Sequence, residues 1–184
     1  MKENWPRKMI GLFGKGYVGK TSLVYKLLSR ELNRRWEPII EDVFHGDIDI
    51  RDQGKKTFDL LVTGEEDQPI FVNVWLKNVD GFLLVFSIDN KESFEFMKHR
   101  YKQIKDFKKE KNPIVIVGNK CDLESERKVD SQEAIEFANE IGVKYYETSA
   151  KTDANGNCKI IFEECANMIY TPMSQNNSKK CIIF

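Results

Sequence analysis

The chain has 184 residues, 41% of them apolar, enough for one domain with a proper core and short for two. Lys plus Arg and Asp plus Glu stand at 29 each, so the net charge is zero and bulk electrostatics argues against nucleic acid; a charge-driven partner would need a local patch. Four cysteines with no C-x-x-C pair and no zinc-like spacing argue against a disulfide framework or a zinc site, and for a reducing, intracellular setting.

Met1 to Lys8 is polar, and no apolar run approaches a bilayer span, so neither a signal peptide nor a transmembrane helix is expected. Met9 to Phe13 is a short apolar run that reads as a strand. Directly after it comes Gly14-Lys15-Gly16-Tyr17-Val18-Gly19-Lys20-Thr21, of the form G-x-x-x-x-G-K-[ST], and then the helical pattern Leu23, Val24, Leu27, Leu28, ending near Leu32. Between strand and helix, such a loop turns its backbone N–H groups inward, where they and the positive end of the helix hold a polyphosphate. Lys20 adds a cation for the outer phosphates, and the Thr21 hydroxyl is placed to ligate Mg²⁺.

Pro38 disfavours helix before it, so residues 34–42 are expected to form a surface loop. Phe44 to Ile50 and Phe58 to Val62, joined by Asp52-Gln53-Gly54-Lys55, predict a β-hairpin. Thr63 to Gln68 is polar, and Ile70 to Leu76 lacks a clear single period, which predicts an irregular loop with one element of unassigned type in it. Phe82 to Phe86 is the run of a strand buried on both faces. Phe94, Met97, Tyr101, Ile104 and Phe107 make one helical stripe over Ser93 to Phe107, whose plain reading is core. Ile114 to Val117, ended by Gly118, is another buried strand; Ser131 is expected to cap a helix closed by Gly142; Val143 to Tyr146 is a strand; Lys159 to Tyr170 is the last helix. The order predicts a doubly wound α/β fold with one antiparallel edge, with ligands beyond the carboxyl ends of the strands.

Two further strings follow strands. Guanine offers an N1–H and an exocyclic amine on one edge, which the carboxylate of Asp122 in Asn119-Lys120-Cys121-Asp122 can accept as a pair; adenine would leave it unsatisfied. In Glu147-Thr148-Ser149-Ala150-Lys151, Ala150 can offer a backbone N–H to the base oxygen.

Together with the P-loop, these strings in this order and spacing resemble the Ras superfamily of small GTPases over roughly residues 7–170. Phe82 to Ser87, Ser93-Phe94, Val115 to Leu123 and Glu37 to Asp42 are most like the Ras subfamily. The resemblance implies a P-loop NTPase fold, an α/β architecture with a mostly parallel six-stranded sheet, one antiparallel edge strand and helices on both faces. It implies GTP or GDP, with Mg²⁺, held by Gly14, Lys15, Gly16, Tyr17, Val18, Gly19, Lys20, Thr21, Ser22, Asn119, Lys120, Asp122, Leu123, Ser149, Ala150 and Lys151. Lys20 and Glu65 fall at catalytic positions and Thr21 at the metal. Effector and regulatory proteins are expected on the loop from Trp36 to Phe44, through Trp36, Pro38, Ile40, Glu41 and Asp42, with the chain a monomer.

The pattern departs from the family on the hydrolytic side. Ile39 replaces the Thr that meets Mg²⁺ and the γ-phosphate. The D-T-A-G-Q-E box aligns, one residue shorter, with Val62-Thr63-Gly64-Glu65-Glu66, so Val62 replaces the metal-supporting Asp and Glu65 the water-orienting Gln; a different gap would put Glu66 or Asp67 there. Weak metal binding and slow hydrolysis are expected, because Glu65 adds like charge beside the γ-phosphate. Tyr17 stands where many relatives have Gly and crowds the same place. The alternative is a scaffold that binds effectors without a nucleotide cycle.

Residues 1–170 are thus read as the nucleotide-binding domain and 171–184 as a flexible tail. The tail ends Lys179-Lys180-Cys181-Ile182-Ile183-Phe184, a C-a-a-X prenylation signal on Cys181 with the final Phe that usually goes with geranylgeranyl, the prenyl group itself being left open. That predicts a lipid anchor on the cytoplasmic face of a membrane, the plasma membrane by expectation.

Overall fold

The computed structural model describes residues 7–29, 41–64, 69–108, 112–153 and 155–171, with backbone alone for 41 and 69–71. In chain order these form β1 (Met9–Phe13), α1 (Lys20–Leu27), β2 (Glu41–Ile50), β3 (Gly54–Thr63), α2 (Pro69–Asn78), β4 (Gly81–Ser87), α3 (Lys91–Phe107), β5 (Ile114–Asn119), a 3-10 helix (Cys121–Glu126), α4 (Ser131–Ile141), β6 (Lys144–Thr148) and α5 (Asn157–Tyr170).

The strands join in one six-stranded sheet of order β2-β3-β1-β4-β5-β6. Every neighbouring pair is parallel except β2 and β3, which run antiparallel from Glu41↔Thr63 to Ile50↔Gly54. The carboxyl ends of β3, β1, β4, β5 and β6 therefore share one rim, and the hairpin register brings the start of β2 to it as well. Helices cover both faces. On one, α1 and α5 pack Leu23, Val24, Ile161 and Phe162 on Leu12, Val62, Val85 and Val117. On the other, α2, α3 and α4 pack Trp75, Phe94, Met97 and Ala138 on Phe13, Leu84, Phe86 and Ile116. Phe82 through Phe86 are 0% exposed, so β4 is buried on both faces as its unbroken apolar run requires. Each such side chain contributes about 1.5–3 kcal/mol of burial. Among the described residues no helix is long and apolar enough to cross a membrane.

Several sequence expectations are corrected. Residues 70–76 are helical, not irregular: Val72, Trp75, Leu76 and Val79 are buried at helical spacing, and Pro69 stands at the first position, where a missing N–H costs nothing. The additional apolar residues Phe71 and Val74 hide that period in the sequence, and Val74 is an exposed residue. Helix α1 stops at Leu27 rather than near Leu32, and Ser29 turns into the left-handed region (φ 52°). Glu41 and Asp42 belong to β2 rather than to the preceding loop. Asp130, not Ser131, caps α4, accepting from the Gln132 N–H at 2.7 Å. Helix α3 begins at Lys91 behind an Asn90 cap, β5 runs on to Asn119, β6 reaches Thr148, and α5 begins at Asn157.

Candidate functional site

The loop after β1 is held in shape by its own polar groups. Lys20, 7% exposed at the start of α1, donates to the carbonyls of Gly14 and Lys15, both at 2.8 Å. An ammonium held by two carbonyls can be transferred to phosphate oxygens at little cost, because one set of acceptors replaces another. Gly19 has φ 94°, and a Cβ there would lie 2.3 Å from Asn119 Nδ2. Thr21 and Ser22 are half-buried in the first turn of α1, where N–H groups lack helical partners. Val18 is buried in the core, and Gly16 and Lys15 are half-buried. Lys15 pairs with Glu92 at the start of α3, tying the loop to the next helix.

Tyr17 is the exception in this loop. It adopts φ 63°, a region that costs a residue with a Cβ roughly 1–2 kcal/mol, while 72% exposed. The conformation belongs to the loop and not to the side chain, which packs too little to impose it.

Asn119, the last residue of β5 and 1% exposed, joins this loop to the third one: its Nδ2 donates to Val18 O at 2.8 Å and its Oδ1 accepts from the Ala150 N–H at 3.2 Å. Lys120 is left-handed (φ 65°) and lies 3.8 Å from Asp89. Leu123 closes the turn through its N–H to the Lys120 carbonyl at 2.8 Å. One oxygen of Asp122 accepts from Ser149 Oγ at 2.5 Å, and the other is 3.9 Å from Lys151 Nζ. Ser149 also accepts from the Thr152 N–H at 3.1 Å, leaving its hydroxyl fixed. Asp122 is thus oriented through one oxygen, with hydrogen-bonding capacity left on the other.

The described residues of the P-loop, Asn119 to Leu123 and Ser149 to Lys151 therefore meet at one rim, with an ammonium for phosphate and a steered carboxylate for a base edge. That donor set fits a guanine nucleotide. For Mg²⁺ the fit is partial. Thr21 supplies a hydroxyl, but Val62 is 2% exposed inside the core, Thr63 spends its hydroxyl on the Leu12 carbonyl at 3.1 Å, and no His, Cys, Asp and Glu cluster able to hold a metal occurs among the described residues. Magnesium sites beside phosphates ordinarily draw on one or two carboxylates.

Glu65, Trp36, Pro38, Ile39, Ile40 and Cys181 lie outside the described residues. Glu41 and Asp42 sit at the rim by register, opposite Thr63 and Val62. Phe44, the far end of the expected partner loop, is 8% exposed and meets Tyr25 edge-on at 5.6 Å, which makes it a core residue. Sequence reasoning missed the group behind the base loops: Arg127, Glu124, Ser131 and Tyr145 all converge on or beside Glu147. Their spacing of up to 23 positions carries no local pattern, although Glu147 opens a string already singled out.

A model of the Ras family matches residues 8–171. The chain is also similar to the Ras-like protein rasU of Dictyostelium discoideum, with 37% identity over 144 residues, covering 78% of this chain and 68% of that protein.

Proposed function

Because the chain belongs to the Ras family of small GTPases, we propose that it is a membrane-tethered guanine-nucleotide switch in which the hydrolytic step is slow. Guanine-nucleotide binding, GTP hydrolysis and dependence on Mg²⁺ are general to that family. The finer reading rests above all on Val62, an apolar residue buried at the end of β3 where the resemblance calls for a metal-supporting carboxylate.

The chain's own residues divide the work. Lys20 exchanges its two carbonyl partners for phosphate oxygens, and the positive end of α1 faces the same charge. Asp122, steered by Ser149, accepts from the base edge, and Asn119 holds the P-loop and the Ala150 loop in register. Bound Mg²⁺ supplies charge neutralisation between phosphates, and Thr21 is the side chain that would hold it. Hydrolysis also needs an oriented water, and an ionised Glu65 cannot donate a hydrogen bond to that end. Partners are assigned to the segment before Phe44 and to β2, an edge strand of the sheet among the described residues.

The test is a Mg²⁺ titration of nucleotide retention on GDP-loaded full-length chain. Loss of an outer-shell carboxylate typically costs 10–100-fold in metal affinity. The Val62→Asp variant should hold GDP at a Mg²⁺ concentration lower by about that factor; coincident titrations would show that Val62 is no deficit. The tether is argued from Cys181 and the two lysines before it, since a prenyl chain with a short basic stretch gives moderate anchoring. A Cys181→Ser variant should move to the soluble fraction, and its retention on membranes would refute the anchor.

A further inference from the structure

Behind the two base-facing loops lies a polar group centred on Arg127 and Glu147. Arg127 follows the 3-10 helix and engages every N–H of its guanidinium. Nε donates to Glu124 at 2.9 and 3.0 Å and Nη2 to Glu124 at 2.6 Å. Nη1 and Nη2 fork onto Glu147 at 2.9 and 2.8 Å, and Nη1 also reaches the Val129 carbonyl at 3.2 Å. Glu147 accepts in addition from Ser131 Oγ at 2.9 Å and Tyr145 OH at 2.7 Å. Its backbone carbonyl takes the side-chain amides of Asn155 and Asn157, both at 2.8 Å, which ties down the far side of the Ser149 to Lys151 turn. Tyr145 in turn lies so close to β5 that a Cβ on Gly118 would be 2.6 Å from its hydroxyl. Gly118 immediately precedes Asn119, and Glu147 precedes Thr148 and Ser149, so this one cluster is joined to both loops.

We propose that Arg127 is a positioning residue for base recognition: by gripping Glu124 beside Asp122 and Glu147 beside Ser149, it fixes the spacing of the two loops that hold the guanine. The inference rests on the nucleotide reading above. Geometry and exposure divide the two grips. The side chains of Arg127 and Glu147 are 16% and 14% exposed, so their forked pair is shielded and directional, whereas Glu124 is 68% exposed and its pair is screened by water. The Glu147 arm therefore carries most of the effect. A lysine keeps the charge but not the planar fork, and reaches one carboxylate at a time.

The test uses full-length chain loaded with a fluorescent GDP analogue, and reads the release rate and the preference for GDP over IDP, which lacks the exocyclic amine. Arg127→Met should speed release on the order of tenfold and narrow the GDP preference, with Arg127→Lys between it and the unaltered chain. Lys144→Met, which breaks the pair with Glu164 at the other end of β6, should change neither. If Arg127→Met does not fold, Glu124→Gln replaces it and should speed release by a few-fold through the outer arm alone. A variant that melts earlier yet releases GDP at the unaltered rate and preference would make the cluster merely structural and overturn the proposal. No saturable GDP uptake by the unaltered chain would instead remove the nucleotide reading, and this inference with it.

Discussion

At the scale of single residues, Val62 and Asp122 illustrate opposite outcomes of the same rule. A carboxylate withdrawn from water needs partners, and the side chain of Asp122, 16% exposed on an otherwise exposed residue, has Ser149 and Lys151. Val62 sits in one apolar cluster with Leu12, Leu60 and Val85, so valine is what the core accepts there. Val62→Asp should therefore destabilise the nucleotide-free, metal-free chain by about 3 kcal/mol or more, since an uncompensated charge is buried. Saturating Mg²⁺ and GDP should restore part of that loss by binding the folded state alone. Denaturant melts with and without Mg²⁺·GDP check it; an equal loss in both conditions would mean that the new carboxylate never reaches the metal. Glu147 shows how partners decide such matters: burial alone would raise its pKa, but bonds from Arg127, Tyr145 and Ser131 win and hold it below the usual carboxylate range.

At the scale of elements, α2 is the informative one. Its buried face, Val72, Trp75 and Leu76, with Val79 beyond it, packs on Met9, Leu61 and Phe82, and the Trp75 ring meets Phe13 edge-on at 6.5 Å. Trp75→Ala should cost about 3–5 kcal/mol, measured by urea unfolding, because a large buried ring leaves a cavity. A loss under 1 kcal/mol would mean that α2 is only loosely held. This helix was not legible in the sequence, whereas its neighbours were. In α3, one stripe stands against a polar remainder, so the period is plain. In α2, Phe71 and Val74 blur the contrast that makes periodicity visible, and only Pro69 marks the start. The P-loop, the Asn119 to Asp122 turn and the Ser149 to Lys151 turn were legible because backbone chemistry fixes residue types at short spacing. The Arg127 cluster was not, because its members meet only once β5, β6 and α4 are packed.

At the scale of the molecule, the parallel order of the sheet does the assembling. Five strand ends and the start of β2 reach one rim, so loops more than 100 positions apart in sequence become neighbours, as the Asn119 to Val18 bond 101 positions apart records. The same topology places the end of β3 beside β1, next to the phosphate loop, so the metal deficit proposed at Val62 would leave the base side undisturbed. On the proposed reading, binding and turnover are separable in this fold: the base side rests on the loops after β5 and β6, and the hydrolytic side on the end of β3. The most direct measurement is single-turnover hydrolysis of GTP preloaded on the full chain in excess Mg²⁺. A rate well below the family's intrinsic scale, on the order of 10⁻⁴ per second, is the predicted result, and a rate at or above that scale would contradict the account.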